Sequence, residues 1–213
     1  MRLRGIPAAA AACCLLAAGC GGSGSGRAAP AKLRRAGGGI PASLLAGLRT
    51  VGRGVRFRPP VSGRILGACS PTFGRRVAAH VELFAENHVV LIAGGAGTRP
   101  PRRVQDARVI RAACFGPVVT LDPTGTVYSR AGTPATLGDL FRAWGQPLSA
   151  TRIASFRAPR GTRVAVYIGG RRQQLAPASV PLRSHSEIVL EVGPHVPPHA
   201  SFTFPPLPPA AMS

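Results

Sequence analysis

The 213 residues hold 27 Lys+Arg against 7 Asp+Glu, a formal charge of +20, and every basic residue except Lys32 is an arginine. A chain that is 45% hydrophobic is too apolar to be disordered throughout, and 5% aromatic residues is little for a reader of nucleic-acid bases, so no nucleic-acid partner is expected. The only apolar stretch able to meet a bilayer is short and N-terminal, which excludes a polytopic membrane protein.

Arg2 and Arg4 precede an apolar run from Ile6 to Ala18. That run has the length of a signal-peptide core and is too short to span a membrane, so residues 1–19 are predicted to be a signal peptide. Leu16-Ala17-Ala18-Gly19-Cys20 closes it and resembles the lipobox of bacterial lipoproteins, with Ala17 where Leu is commoner. The resemblance implies a diacylglycerol on Cys20, cleavage before it, and a membrane partner reached through the lipid on the extracytoplasmic face. The alternative is an ordinary cleaved signal without lipid. Loss of Arg2 and Arg4 would leave a charge of about +18. The Gly/Ser run from Gly21 to Gly26 is a flexible tether, and residues 20–60 as a whole are expected to form a basic linker without Asp or Glu. Within it, Ile40 to Leu48 has the pattern of one or two helical turns, either packed on the domain or touching the membrane surface.

Cys13 and Cys14 depart with the signal, leaving Cys69 and Cys114. In an exported domain the simplest reading is one disulfide; two buried thiols, or one thiol paired with another molecule, are the alternatives.

The domain is expected over residues 61–205. Val81 to Phe84 and Val89 to Ile92 read as two strands joined by the turn Ala85 to His88. Val118 to Leu121 and Thr126 to Tyr128 flank the turn Asp122-Pro123-Thr124-Gly125. Thr136 and Asp139 have capping-box spacing ahead of Leu137, Leu140, Phe141 and Trp144, which share one helical face before Gly145 and Pro147 end it. Val164 to Ile168, Gly169-Gly170, and Arg171 to Leu175 read as a second hairpin with a two-residue turn. In the strand Glu187 to Val192, Ile188, Leu190 and Val192 point one way, with Glu187 and Glu191 assigned to a solvated side. Laid side by side, the two hairpins match Val81 with Val164, Leu83 with Val166 and Ile92 with Leu175, which suggests related units. The fold class is therefore α+β, mostly β, with two β-hairpin units and one amphipathic helix between them. Seven prolines make Gly193 to Ser213 extended, with Phe202 and Phe204 tucked against the domain and residues 206–213 loose.

Three pieces carry a further resemblance: Ala79-His80-Val81-Glu82-Leu83-Phe84 with its hairpin and Ala93-Gly94-Gly95-Ala96-Gly97; Cys114 leading to Asp122 and Gly125; and Thr136 to Leu148. Together they resemble a family of exported, functionally uncharacterised proteins of high-GC, actinobacterial-type bacteria, over residues 63 to 206. That family's His-x-His and His-Thr-His-Asp segments imply a copper or zinc site. This chain keeps His80 alone of the first cluster, with Ala78 in the other position; it has Val119-Thr120-Leu121-Asp122 for the second, and Tyr128 where a further His often lies. Of those segments it keeps His80 and Asp122, and with His185, which the fold would bring near them, these are the candidate metal ligands.

Other chemistry finds little support. Ser184 and His185 are expected to point to opposite faces of a strand, there is no G-x-S-x-G elbow, and Gly94 to Gly97 lacks the Lys-Ser/Thr of a phosphate loop. No cofactor is implied and no enzyme is expected. The leading expectation is a non-catalytic cell-envelope lipoprotein acting as a binding or interaction module, with anionic lipid or wall polymer as its partner. The alternative is a metal-binding envelope protein.

Overall fold

The computed structural model describes residues 50–196, 201–210 and 212, which belong to the compact unit Arg34–Ser213. The expected signal segment, Cys20 and the turns expected at Ile40 to Leu48 lie outside the described residues. The fold is α+β and mostly β. Among the described residues no helix is long and apolar enough to cross a membrane.

The chain runs through β1 (Arg76–Ala85), β2 (His88–Val90), β3 (Thr98–Gln105), β4 (Arg108–Phe115), β5 (Val118–Thr120) and β6 (Thr126–Arg130), then α1 (Leu137–Trp144). It continues through β7 (Leu148–Ser149), β8 (Arg152–Ile153), β9 (Phe156–Arg157), β10 (Ala165–Ile168), β11 (Arg171–Gln173) and β12 (Glu187–Val192). A seven-stranded sheet has the order β11-β10-β12-β1-β6-β5, with β2 also on β1. β1 is its axis. It pairs parallel with β12 (Leu83 opposite Leu190) and antiparallel with β6 (Ala78 opposite Tyr128). The second hairpin's own long strand, β12, thus lies between β10 and β1, so the two hairpin units share one sheet.

Alternation along β1 divides the core in two. Ala79, Val81, Leu83 and Ala85 face the larger core, where Val127, Ile188, Leu190 and Val192 meet the Leu137, Leu140, Phe141 and Trp144 face of α1. Ala78 faces the smaller core with Tyr128, Val119, Leu121, Phe73 and Phe115. The helix begins and ends as its residues dictate. Asp139 N–H donates to Thr136 Oγ1 and Thr136 N–H donates to Asp139 Oδ2 (2.8 Å), closing a reciprocal capping box. Gly145 sits at φ 83°, where Gln146 N–H reaches Phe141 O and Gly145 N–H reaches Arg142 O, a Schellman ending. A side chain there would also strike Gly63 N at 2.3 Å.

Both predicted hairpins form, each on a two-residue turn with positive φ: Glu86-Asn87 (52°, 64°) and Gly169-Gly170 (55°, 74°). These turns fall at matching positions in the side-by-side alignment. The likeness stops at its far end, where Ile92 is buried and Leu175 is exposed.

Four expectations are corrected. Residues 50–60, assigned to the linker, pack on the domain: Phe57 is buried, Leu91 N–H donates to Phe57 O, and Trp144 Nε1–H donates to Pro59 O. The end of the chain, expected loose, is tied down: Phe73 and Gly74 N–H donate to Met212 and Ala210 carbonyls (both 2.8 Å). Glu191, placed on a solvated side, is 4% exposed, because the chain after β12 turns back over it. Ser184 and His185 lie in a turn, with His185 at φ 56°, and not on a strand; Ser184 Oγ and His185 Nδ1 are 3.0 Å apart.

Candidate functional site

The expected disulfide is present between Cys69 and Cys114, with Cα atoms 5.5 Å apart. Beside it Ser70 and Phe115 exchange two backbone hydrogen bonds (3.0 and 2.7 Å). Together these fasten the base of β4 to the segment that leads into β1.

The residues singled out as ligands occupy neighbouring elements, yet each is engaged elsewhere. His80 is buried on β1. Its Nε2 is 3.0 Å from Thr124 O, its Nδ1 is 3.8 Å from Glu82 Oε1, and its ring stacks on Phe202 at 3.7 Å. Asp122 accepts from Arg108 (2.8 Å), from Thr124 N–H and from the Thr124 hydroxyl. This is the self-bonding an Asp provides at a turn. His185 meets Ser184 Oγ at Nδ1 and the Phe204 ring at 4.8 Å, and it lines a cavity of about 370 Å³ with Ser186, Glu187 and Ser201. Among the described residues no three His, Cys, Asp or Glu side chains stand where they could hold one metal ion. Topology brings the segments close: His185 N–H donates to Ala78 O, two residues before His80. The side chains do not converge because an aromatic row of Phe202 and Phe204 lies over His80 and His185.

Tyr128 is wholly buried beside Arg108 and Asp122. Burial pushes its phenol pKa up, and Asp122 adds to this while Arg108 opposes it. A second polar group was not foreseen. The buried Glu191 accepts from Val196 N–H (3.2 Å) and lies 2.9 Å from His195 Nδ1, which is 3.1 Å from Tyr167 OH. Burial, then the Glu191 charge, holds the Tyr167 phenol above its ordinary value. The group fixes the turn that carries the chain back across the sheet. Arg76 is a third: 5% exposed, it donates to the carbonyls of Phe73 (2.8 Å), Gly116 (2.9 Å) and Pro117 (3.1 Å). Desolvation, followed by the nearby Arg130 charge, lowers its pKa to about 10.

The most exposed organised feature is the ribbon β3–β4, a two-stranded sheet of its own. Only one strand supplies core residues: Val109, Ala112 and Phe115 of β4 are buried, while every residue of β3 after Thr98 is exposed. The ribbon carries Arg99, Arg102, Arg103, Arg108 and Arg111 against one acid, Asp106 in its turn. Arg102 folds back onto Thr98, with Nε 2.6 Å from Oγ1, and Arg108 is engaged by Asp122. The side chains of Arg99 and Arg103 have no hydrogen-bond or ion-pair partner among the described residues. Arg103 stands opposite Arg111 in the ladder. Val104, 58% exposed, lies next to them near the tip. The pairs Arg102-Arg103 and Arg108 were visible in the sequence only as scattered charge; Asp106-Ala107 between Gln105 and Arg108 was the available turn signal. No family model, curated protein or solved structure matches this chain.

Proposed function

We propose that the chain is a non-catalytic lipoprotein of the cell envelope, anchored through Cys20 on the extracytoplasmic face of the membrane, whose β3–β4 arm binds a phosphate-bearing anionic surface. The observation that carries this reading is Arg99 and Arg103, whose side chains have no bonding partner among the described residues, with the exposed Val104 beside Arg103, on a ribbon exposed along β3 after Thr98. Arginine is suited to bidentate phosphate contact, and the exposed Arg99 and Arg103 break no side-chain bond to make it. The exposed Val104 suits the apolar boundary beneath head groups. At about 1 kcal/mol per arginine near an anionic surface, Arg99 and Arg103 would together contribute about 2 kcal/mol, roughly thirtyfold in affinity. The signal-like N-terminus, Cys20 and the Cys69–Cys114 disulfide support the oxidising, extracytoplasmic setting.

Unacylated chain from residue 21 should sediment with phosphatidylglycerol-containing vesicles, and the binding should fall steeply between low and physiological salt. The double variant Arg99→Ser/Arg103→Ser should lose most of it. Vesicles of zwitterionic lipid and isolated anionic wall polymer form parallel arms that separate the two phosphate sources. Equal binding to neutral vesicles, or binding indifferent to the double variant, sinks the proposal.

A further inference from the structure

The run Phe204-Pro205-Pro206-Leu207-Pro208-Pro209 crosses the smaller core at the end of the chain. Four of its six residues are proline, each with φ held near −65°. Phe204, Pro205, Leu207 and Pro208 each precede a proline, which disfavours helical backbone and drives them extended. Residues 201–209 accordingly form neither helix, strand nor hydrogen-bonded turn. Local sterics thus favour an extended path of the polyproline II type, on whose period of about three residues Pro206 and Pro209 share one edge.

Packing does not account for that edge. Phe204 and Met212 rest against the smaller core, whereas Pro206, Leu207 and Pro209 are exposed, Leu207 to 51%. Leu207 is one of four large apolar side chains left in water among the described residues. The run is also held at both ends. Phe204 lies 4.8 Å from His185 and 5.0 Å from Phe202, and Gly74 N–H binds Ala210 O. Between these anchors no donor among the described residues reaches the carbonyls of Pro205, Pro206, Leu207 or Pro208.

We infer that residues 204–209 are a ready-formed polyproline II ligand for a protein domain whose groove is walled by aromatic side chains. Such a groove seats the Pro206/Pro209 edge between rings, takes Leu207 in an adjoining apolar pocket, and donates ring N–H or O–H groups to the open carbonyls. Because proline restriction and the two anchors have already removed most conformational freedom, little ordering remains to oppose binding.

The intact chain from residue 21 is titrated into two isotopically labelled probes, one WW domain and one SH3 domain, and binding is followed by shifts at the groove aromatics. Saturable binding to at least one probe is expected. Pro206→Ala/Pro209→Ala should weaken it by roughly tenfold or more. Leu175→Ser, which alters another exposed apolar side chain, should leave it unchanged. Matching melting temperatures for the variants exclude unfolding as the cause. No shift in either probe at millimolar concentration, or binding that survives the double proline variant, overturns the inference.

Discussion

Replacing both Cys69 and Cys114 with Ala tests the fold and the assumed compartment together. The bridge spans 45 residues of sequence, and the loop it closes contains β1, β2 and β3, including the axis of the main sheet. Chain-entropy theory assigns about 4 kcal/mol to a loop of that size at 25 °C. For a domain of this size each kilocalorie corresponds to about 2–4 °C, so the melting temperature should fall by about 8–16 °C. Much of the native structure should persist at low temperature, since the Ser70–Phe115 hydrogen bonds and the Phe73, Phe115 and Tyr128 contacts still hold the arm's base. The entropic account also predicts a change of slope. Without the cross-link the unfolded chain expands, so the urea m-value should rise as the midpoint falls. Circular dichroism melts and urea titrations of parent and variant, with the parent repeated under reductant, measure both. A drop below about 3 °C with an unchanged m-value would show that this bridge does not restrict the unfolded chain. Two free thiols in natively expressed material would remove the argument for an oxidising compartment.

Asp139→Asn should cost about 1 kcal/mol at neutral pH, as loss of an N-terminal cap does. Burial pushes the Asp139 carboxyl up, but hydrogen bonds from Thr136 and Arg142 outweigh it and hold it below its ordinary 3.8. A depressed folded value stabilises above the unfolded pKa and is lost as pH falls through the folded one. Melts from pH 7 downward should therefore show parent and variant converging below about pH 3.8; a difference constant with pH would refute the charge argument. Arg76→Met should destabilise by about 3 kcal/mol or more, because three carbonyls lose their donor at a site that water scarcely reaches. Arg76→Lys should recover only part of this in urea denaturation, since an ammonium cannot reproduce the guanidinium fork. Trp144→Ala should cost about 3–5 kcal/mol in the same assay, and the chain after Arg53 and Arg56 should become trypsin-sensitive as the Pro59 carbonyl loses its donor. Intact mass of the native membrane-extracted protein should show acylated Cys20 as the first residue; an unmodified Met1 would refute the anchor.

Elements whose stabilising partners lie nearby in sequence were legible. The helix carries both of its caps and its apolar face within Thr136 to Gln146, and β12 shows its two faces by simple alternation. The ribbon was not legible, because a strand buried on one side is recognised by alternation and β3 buries nothing after Thr98. Its turn, Asp106-Ala107, reaches positive φ without a glycine to announce it. Strands β7, β8 and β9 have two residues each, shorter than any periodic signal. The site residues divide in the same way. The elements bearing His80, Asp122 and His185 do adjoin, but the occupants of those side chains come from Arg108, Thr124, Ser184 and Phe202. Burial of Glu191 and Arg76 likewise depends on segments that no local pattern identifies.

The distribution of acids bears on whether the arginine excess has a physical consequence beyond composition. Of seven carboxylates, Asp139 caps the helix, Asp122 closes a turn and holds Arg108, Glu191 fixes the return of the chain, Glu82 lies against His80, and Glu86 pairs with Arg56. Four of these five are drawn into the interior or into helix and turn bonds, where neighbouring donors engage them. Among the described residues the arginines are by contrast mostly exposed, Arg76 being the buried exception. The separation is radial, with anions spent on structure inside and cations left outside, so the field around the domain is positive however small each local excess is. On this argument, reversing Arg99 of the β3–β4 arm should alter association with polyanions and its salt dependence while leaving the melting temperature almost unchanged. Reversing Asp122 or Glu191 should do the opposite.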